Sequence, residues 1–165
     1  MRSLLNDEER AVMMDEEVKA LSRVPIFANV DVAKLKLLAF ISERVVFHPG
    51  EVLCRQGEEG DTAFIILSGD CDVLVDTGQG RKKIAELGST DIVGEIAVLF
   101  EVPRTATVVA THMTEALALS RDQMFSLLRE FPDVAFDIMR VLAHRLERTT
   151  QDLAELRGRL AGETV

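Results

Sequence analysis

The chain has 165 residues, 47% of them hydrophobic, and a net charge of −9. That is enough for one domain with a real core, burying roughly 68–70% of the unfolded surface, and it excludes a largely disordered chain. The acidity argues against non-specific binding to nucleic acid, which needs many phosphate-neutralising cations.

No apolar run approaches the roughly 20 residues that cross a bilayer. The N-terminus turns acidic at Asp7-Glu8-Glu9 before a signal-peptide core forms. The expectation is a cytoplasmic protein that does not bind membrane. Cys54 and Cys71 lack metal-ligand spacing and fall in apolar segments, so both read as free buried thiols.

Residues 1–22 read as a helix. Asn6 and Glu9 form a capping-box pattern, and Val12, Met13, Val18 and Leu21 fall near one face with acids opposite. The helix either packs on its own domain or serves as a docking arm. Val24-Pro25-Ile26-Phe27 ends it, because proline disfavours helical geometry in the preceding residue. A second helix runs from Val30 to Ile41 with Val32, Leu35, Leu38 and Ala39 at helical spacing and Asp31 as its N-cap.

From Glu43 the period becomes that of strands. Val45-Val46-Phe47, Val52-Leu53-Cys54 and Ala63-Phe64-Ile65-Ile66-Leu67 are separated by the turn signals Pro49-Gly50 and Gln56-Gly57-Glu58-Glu59-Gly60-Asp61. Cys71, Val73 and Val75 alternate with Asp72, Leu74 and Asp76, which puts the first set on one face. Thr77-Gly78-Gln79-Gly80 reads as a hairpin turn, and the returning strand carries Ala85 and Leu87 on one face. Thr105 to Ala110 and Glu115 to Leu119 complete the strand series. Short strands at this spacing predict a β-sandwich or barrel rather than a parallel α/β sheet.

The end of the chain is helical. Ser120 with Gln123 is a second capping box, opening a helix through Phe131, and Pro132 suits the first turn of the next. That last helix carries Met139, Leu142, Leu146, Thr149, Leu153, Leu156 and Leu160 in steps of 3 and 4. The pattern is a heptad seam of roughly 32 Å with one polar member, Thr149. Because the seam is so strict, it predicts pairing with a second helix, as in a parallel homodimer.

Between two buried strands lies Gly94-Glu95-Ile96-Ala97-Val98-Leu99-Phe100-Glu101-Val102-Pro103-Arg104-Thr105-Ala106. If Glu95 to Leu99 form a short helical turn, its first N–H groups lack partners and favour an anion. Gly94 lets the backbone come close to a ligand, and Arg104 can offer parallel donors to a phosphate. Glu95 would repel that phosphate, so it makes sense as an acceptor for a sugar hydroxyl. A triphosphate would want a glycine-rich loop with lysine and a metal, and neither is present. The alternative for this spacing is a buried pair of Glu95 with Arg104.

These residues resemble the phosphate-binding cassette of cyclic nucleotide-binding domains. The resemblance extends over Val24-Pro25-Ile26-Phe27, Pro49-Gly50-Glu51-Val52, Arg55-Gln56-Gly57-Glu58, Phe64-Ile65-Ile66, Ser68-Gly69, Leu127-Leu128, Pro132 and Leu142-Ala143-His144-Arg145-Leu146, roughly residues 22 to 150. It implies an eight-stranded, mainly β roll with N-terminal helices, a short cassette helix and a long C-terminal helix. The expected division is an N-terminal helical arm at 1–23, a binding roll at 24–131, and a lid or dimerisation helix at 132–165.

It also implies binding of a 3′,5′-cyclic nucleotide. Arg104 would hold the cyclic phosphate, Glu95 the ribose 2′-hydroxyl, Ile96 and Ala97 the phosphate through their N–H groups, and Thr105 would sit beside phosphate and base. Val73, Ala85 and Leu87 would line the base pocket. In the catabolite-activator branch of the family the C-terminal helix carries a Thr-Ser pair that contacts adenine from both subunits, and this chain has Thr149-Thr150 there.

The expected ligand is cyclic AMP, with cyclic GMP the competitor because a threonine follows Arg104; no cofactor or metal is expected. The chain shows no recognition helix, basic patch or pseudosubstrate, so the reading is a non-catalytic sensor that acts on an unidentified protein partner. The alternatives are a ligand-independent dimerisation module and a jelly-roll metalloenzyme. The second needs a metal cluster, whereas His48, His112 and His144 are scattered over distinct elements.

Overall fold

The computed structural model describes residues 4–163. The first three residues of the expected arm and the last two of the expected lid, 164 and 165, lie outside the described residues. The element order is α1 (Asp7–Ser22), a 3-10 turn (Pro25–Phe27), α2 (Val32–Ile41), β1 (Glu43–Phe47), β2 (Val52–Cys54), β3 (Thr62–Ser68), β4 (Asp70–Thr77), β5 (Gly80–Gly88), β6 (Ile92–Val93), α3 (Glu95–Phe100), β7 (Thr107–Ala110), β8 (Thr114–Ser120), α4 (Arg121–Glu130) and α5 (Pro132–Glu163). The eight strands form two four-stranded antiparallel sheets, ordered β1-β8-β3-β6 and β2-β7-β4-β5. This is the roll that the sequence predicts.

Local chemistry explains the element ends. Both capping boxes form, Asn6 with Glu9 on α1 and Ser120 with Gln123 on α4. Pro49-Gly50 makes its turn with the Glu51 N–H donating to the His48 carbonyl at 2.9 Å and Gly50 at φ +88°, the left-handed geometry that type II turns require. Asp31 is the N-cap residue of α2 as expected, but its side chain makes no capping hydrogen bond.

Two cores result. One packs Leu21, Phe27, Leu35, Leu38 and Leu127 between helices and the β3–β8 face; the other fills the roll around Phe47, Ile66, Val93 and Ala116. The buried stripe of α1 is Glu17, Val18 and Leu21, while Val12 faces solvent. A glutamate joins the stripe because Arg44 of β1 reaches Glu17 at 3.6 Å and also pairs with Glu115 of β8. On α2, Leu35, Leu38 and Ala39 turn inward and Val32 does not.

The β4–β5 ladder loses its regular register after Val73. The ladder pairs Val73 with Ala85 but Leu74 with Lys83, so Ile84 is the extra residue of a bulge. One inserted residue flips the side-chain faces beyond it.

Helix α5 leaves the domain. Val134 and Ile138 bury against the helical layer, whereas every residue from 143 to 162 is exposed. Its 32 residues correspond to about 48 Å. Among the described residues, no helix is long and apolar enough to cross a membrane.

Candidate functional site

A cavity of about 240 Å³ opens where α3, the loop before β7 and the inner faces of β4 and β5 converge, with Cys54, Val73, Leu87, Glu95, Arg104 and Arg145 among its lining. A hollow of about 600 Å³ lies behind it, bounded by Glu59, Gly60, Asp61, Glu101, Val102 and Arg121. Its rim carries three carboxylates, Glu59, Asp61 and Glu101, against one cation, Arg121.

Arg104 is only 8% exposed. Its Nη1 donates to the Gly94 carbonyl at 3.2 Å and its Nη2 to the Thr62 carbonyl at 2.6 Å. Its backbone is fixed as well: its N–H donates to the Glu58 carbonyl at 2.9 Å, and its carbonyl accepts from the Gly57 N–H at 2.9 Å. A guanidinium has five N–H donors, so donors remain for the cavity after both carbonyl bonds. Gly94 takes φ +83°, and a Cβ there would collide with Arg104 Nη1. Glycine is therefore required at position 94 both for backbone conformation and for space.

Glu95 pairs with Arg145 of α5 rather than with Arg104. The Glu95 side chain is 12% exposed and that of Arg145 51%. The pair resolves the objection that a carboxylate would repel the anion. The lining sets Arg104 and Arg145 against Glu95 and Asp91; Glu95 pairs with Arg145, and Asp91 accepts from the Gly88 N–H at 2.8 Å. Arg145 is the cavity-lining residue that sequence reasoning misses. The signal was its place four residues before Thr149, on the same helix face as the polar gap in the seam, together with the need of Glu95 for a counter-cation.

Gly94, Glu95, Ile96, Ala97, Arg104, Thr105, Val73 and Leu87 all line the cavity. Ala85 does not: it pairs with Val73 across the ladder but is exposed, beside the bulge on the edge strand β5. Thr149 and Thr150 are exposed on α5 outside the cavity. Their hydroxyls donate to the carbonyls of Arg145 and Leu146, each at 2.8 Å.

The Cys54 thiol, at the cavity floor, is pushed above its ordinary pKa, chiefly by burial, while the charge of Arg104 opposes the shift. Cys71 is raised by burial too, and both cysteines are free. Among the described residues no three His, Cys, Asp or Glu side chains gather as metal ligands would.

A roll of two four-stranded sheets with a glycine-flanked arginine at an anion-sized cavity defines a nucleotide-binding regulatory module. Residues 44–131 match the cyclic nucleotide-binding domain family, and the chain belongs to it. It is 31% identical over 144 residues to a CRP-like cAMP-activated global transcriptional regulator of Mycobacterium tuberculosis, covering 87% of this chain and 63% of that protein. It is 34% identical over 125 residues to a cAMP-dependent protein kinase regulatory subunit of Dictyostelium discoideum, covering 69% of this chain and 38% of that one. The structure is similar to the Thermus thermophilus catabolite activator protein, with a TM-score of 0.75 and 29% identity over 80% of this chain and 62% of that one. The chain thus spans less than two thirds of each of these three proteins.

Proposed function

We propose that the chain is a non-catalytic sensor of a 3′,5′-cyclic nucleotide, with cyclic AMP preferred over cyclic GMP, and that it signals through α5 to a protein partner. The observation that carries the reading is the buried Arg104, held by two backbone carbonyls with donors to spare, opposite a carboxylate that is already neutralised. The guanidinium of Arg104 suits the single negative charge of a cyclic phosphate. Arg145 meets Oε1 of Glu95, which leaves Oε2 to accept the ribose 2′-hydroxyl, and the N–H groups of Ile96 and Ala97 complete the phosphate contacts.

The cavity, about 240 Å³, is smaller than the roughly 300–1,000 Å³ of common ligand clefts. It suits ribose and phosphate, with the base emerging past Val73 and Leu87 and Thr105 beside it. Thr149 lies one helical turn beyond Arg145, about 6 Å along α5, where a base at the rim would meet it and Thr150. The preference for cyclic AMP rests on those hydroxyls near the adenine amino group. The relatives named as cAMP-activated and cAMP-dependent support the same choice.

In this reading residues 24–131 bind the ligand, 1–23 brace the roll, and 132–165 act as lid and dimerisation helix. The seam supports pairing with a second copy, since Leu146, Leu153, Leu156 and Leu160 are all about half exposed or more. Isothermal titration with each nucleotide is the test: saturable binding at one site per chain is expected, and no heat up to millimolar ligand overturns the proposal.

A further inference from the structure

Arg121 is the first residue of α4, directly after β8. Its Nε donates to the Val98 carbonyl at 3.0 Å, and its Nη2 donates to the Ala97 carbonyl and the Gly60 carbonyl, each at 3.1 Å. Its own N–H donates to the Asp61 carbonyl at 2.6 Å. Ala97 and Val98 are in α3, among the last four residues of that short helix, whose carbonyls have no intrahelical partner. A planar guanidinium can serve several such carbonyls at once, and its charge suits the negative end of the helix. Gly60 and Asp61 belong to the loop that leads into β3. One side chain therefore fastens together the two segments that flank Arg104.

The contact at Gly60 is the informative one. Gly60 has no left-handed φ, yet a Cβ there would run into Nε, Cζ and Nη2 of Arg104. The glycine is required by space rather than by conformation. Gly94 closes on the same guanidinium from Nη1, so Arg104 lies between two glycine backbones. The position of the Gly60 wall is set by the carbonyl that Arg121 holds. Arg121 itself lines the larger hollow behind the site and not the anion cavity.

We infer that Arg121 is a positioning residue: it sets the wall at Gly60 against which the guanidinium of Arg104 is oriented toward the ligand. The inference rests on the reading of Arg104 as the anion-holding group. It also gives α4, which packs against α5, a second attachment to the cassette, independent of the Glu95–Arg145 pair.

The test uses the full chain, labelled with ¹⁵N-arginine, without ligand. The Nε–H signal of Arg104 is assigned by its loss in R104K. In R121Q that signal should move, and its exchange with water should quicken about tenfold or more as the wall loosens; in R121K, which keeps charge but not the planar fork, the change should be intermediate. Cyclic AMP affinity should fall roughly five- to tenfold in R121Q, yet less than about twofold when R121Q is added to R104A, because the effect passes through Arg104. An unchanged Arg104 signal in the folded variants, or equal losses in both backgrounds, overturns the inference. If R121Q does not fold, R121K alone decides, and a wild-type signal there counts against it. A wild-type chain that binds neither cyclic nucleotide would refute the proposed function instead, and the Arg104 signal would still decide the role of Arg121.

Discussion

Replacing Arg104 with alanine removes a side chain that is 8% exposed and, in the proposed complex, the only full charge facing the phosphate directly. Two of its donors are committed to the carbonyls of Gly94 and Thr62, and a parallel pair can still reach the ligand. Each hydrogen bond to a charged group contributes about 1.5–3 kcal/mol, so the pair contributes about 3–6. Truncating one partner of a buried charged pair costs about 2–5 kcal/mol or more. Taking about 3–5 kcal/mol, affinity for cyclic AMP should fall roughly 150- to 4,000-fold, at about 1.4 kcal/mol per tenfold. Part of the change appears in stability, because two carbonyls lose a donor at about 1–3 kcal/mol each if water does not replace it. The titration is therefore run well below the melting temperature of the variant, with the fold checked by circular dichroism. Arg104→Lys keeps the charge without the fork and should fall between wild type and alanine. A folded alanine variant that binds within threefold of wild type would refute the assignment.

Arg145→Ala leaves the Glu95 carboxylate uncompensated beside the phosphate. Since Arg145 is half exposed, the cost is screened to about 1 kcal/mol, roughly fivefold in affinity, and the ligand-induced population ratio read by a spin label on distal α5 should fall by a similar factor; an unchanged shift would remove Arg145 from the coupling. Leu146→Glu with Leu153→Glu should yield a monomer by light scattering, and a native chain that is already monomeric at tens of micromolar would end the paired-helix proposal. Thr149→Ala should change the ratio of cyclic AMP to cyclic GMP affinity, while an unaltered ratio takes that hydroxyl away from the base. Alkylation of Cys54 in a Cys71→Ser background should stay slow through the pH range where an ordinary thiol near about 8.5 reacts, because its raised pKa delays thiolate formation, and ligand should slow it further. An ordinary pH profile would contradict the buried floor position.

Features that depend on neighbours in sequence were legible in advance. Both capping boxes, the Pro49-Gly50 turn and the β4–β5 hairpin each need only a few adjacent residues, and each formed. The cassette was legible for the same reason, since Gly94, Glu95 and Arg104 sit within one short helix and its exit loop. What escaped depends on distant partners. Glu17 looks like a solvent-facing acid until Arg44, 27 positions away in the chain, neutralises it in the core. Arg145 looks like any charge on an amphipathic helix until the fold brings it across 50 positions to Glu95. The bulge at Ile84 leaves no mark in the alternating pattern.

Glu95 and Arg145 join the cassette directly to α5, and in the proposed sensor the strength of that pair limits what it can do alone. A ligand moves an equilibrium only by its differential affinity for the two states. At about 1 kcal/mol, the pair changes the population ratio of α5 roughly fivefold. Moving a helix from about 1:99 to 99:1 needs about 5.5 kcal/mol. The remainder must come from contacts that exist in only one position of α5. Two places on the helix can supply them: the turn at Thr149 and Thr150, if it closes on the base, and the exposed seam from Leu146 to Leu160, if a second copy packs there. The two sources are separable. In the Leu146→Glu, Leu153→Glu monomer the base contact survives and the seam does not. If a spin label on α5 still shows a full two-state shift with ligand in that monomer, the base turn carries the coupling; if the shift shrinks to the few-fold change that Arg145 can provide, the seam does.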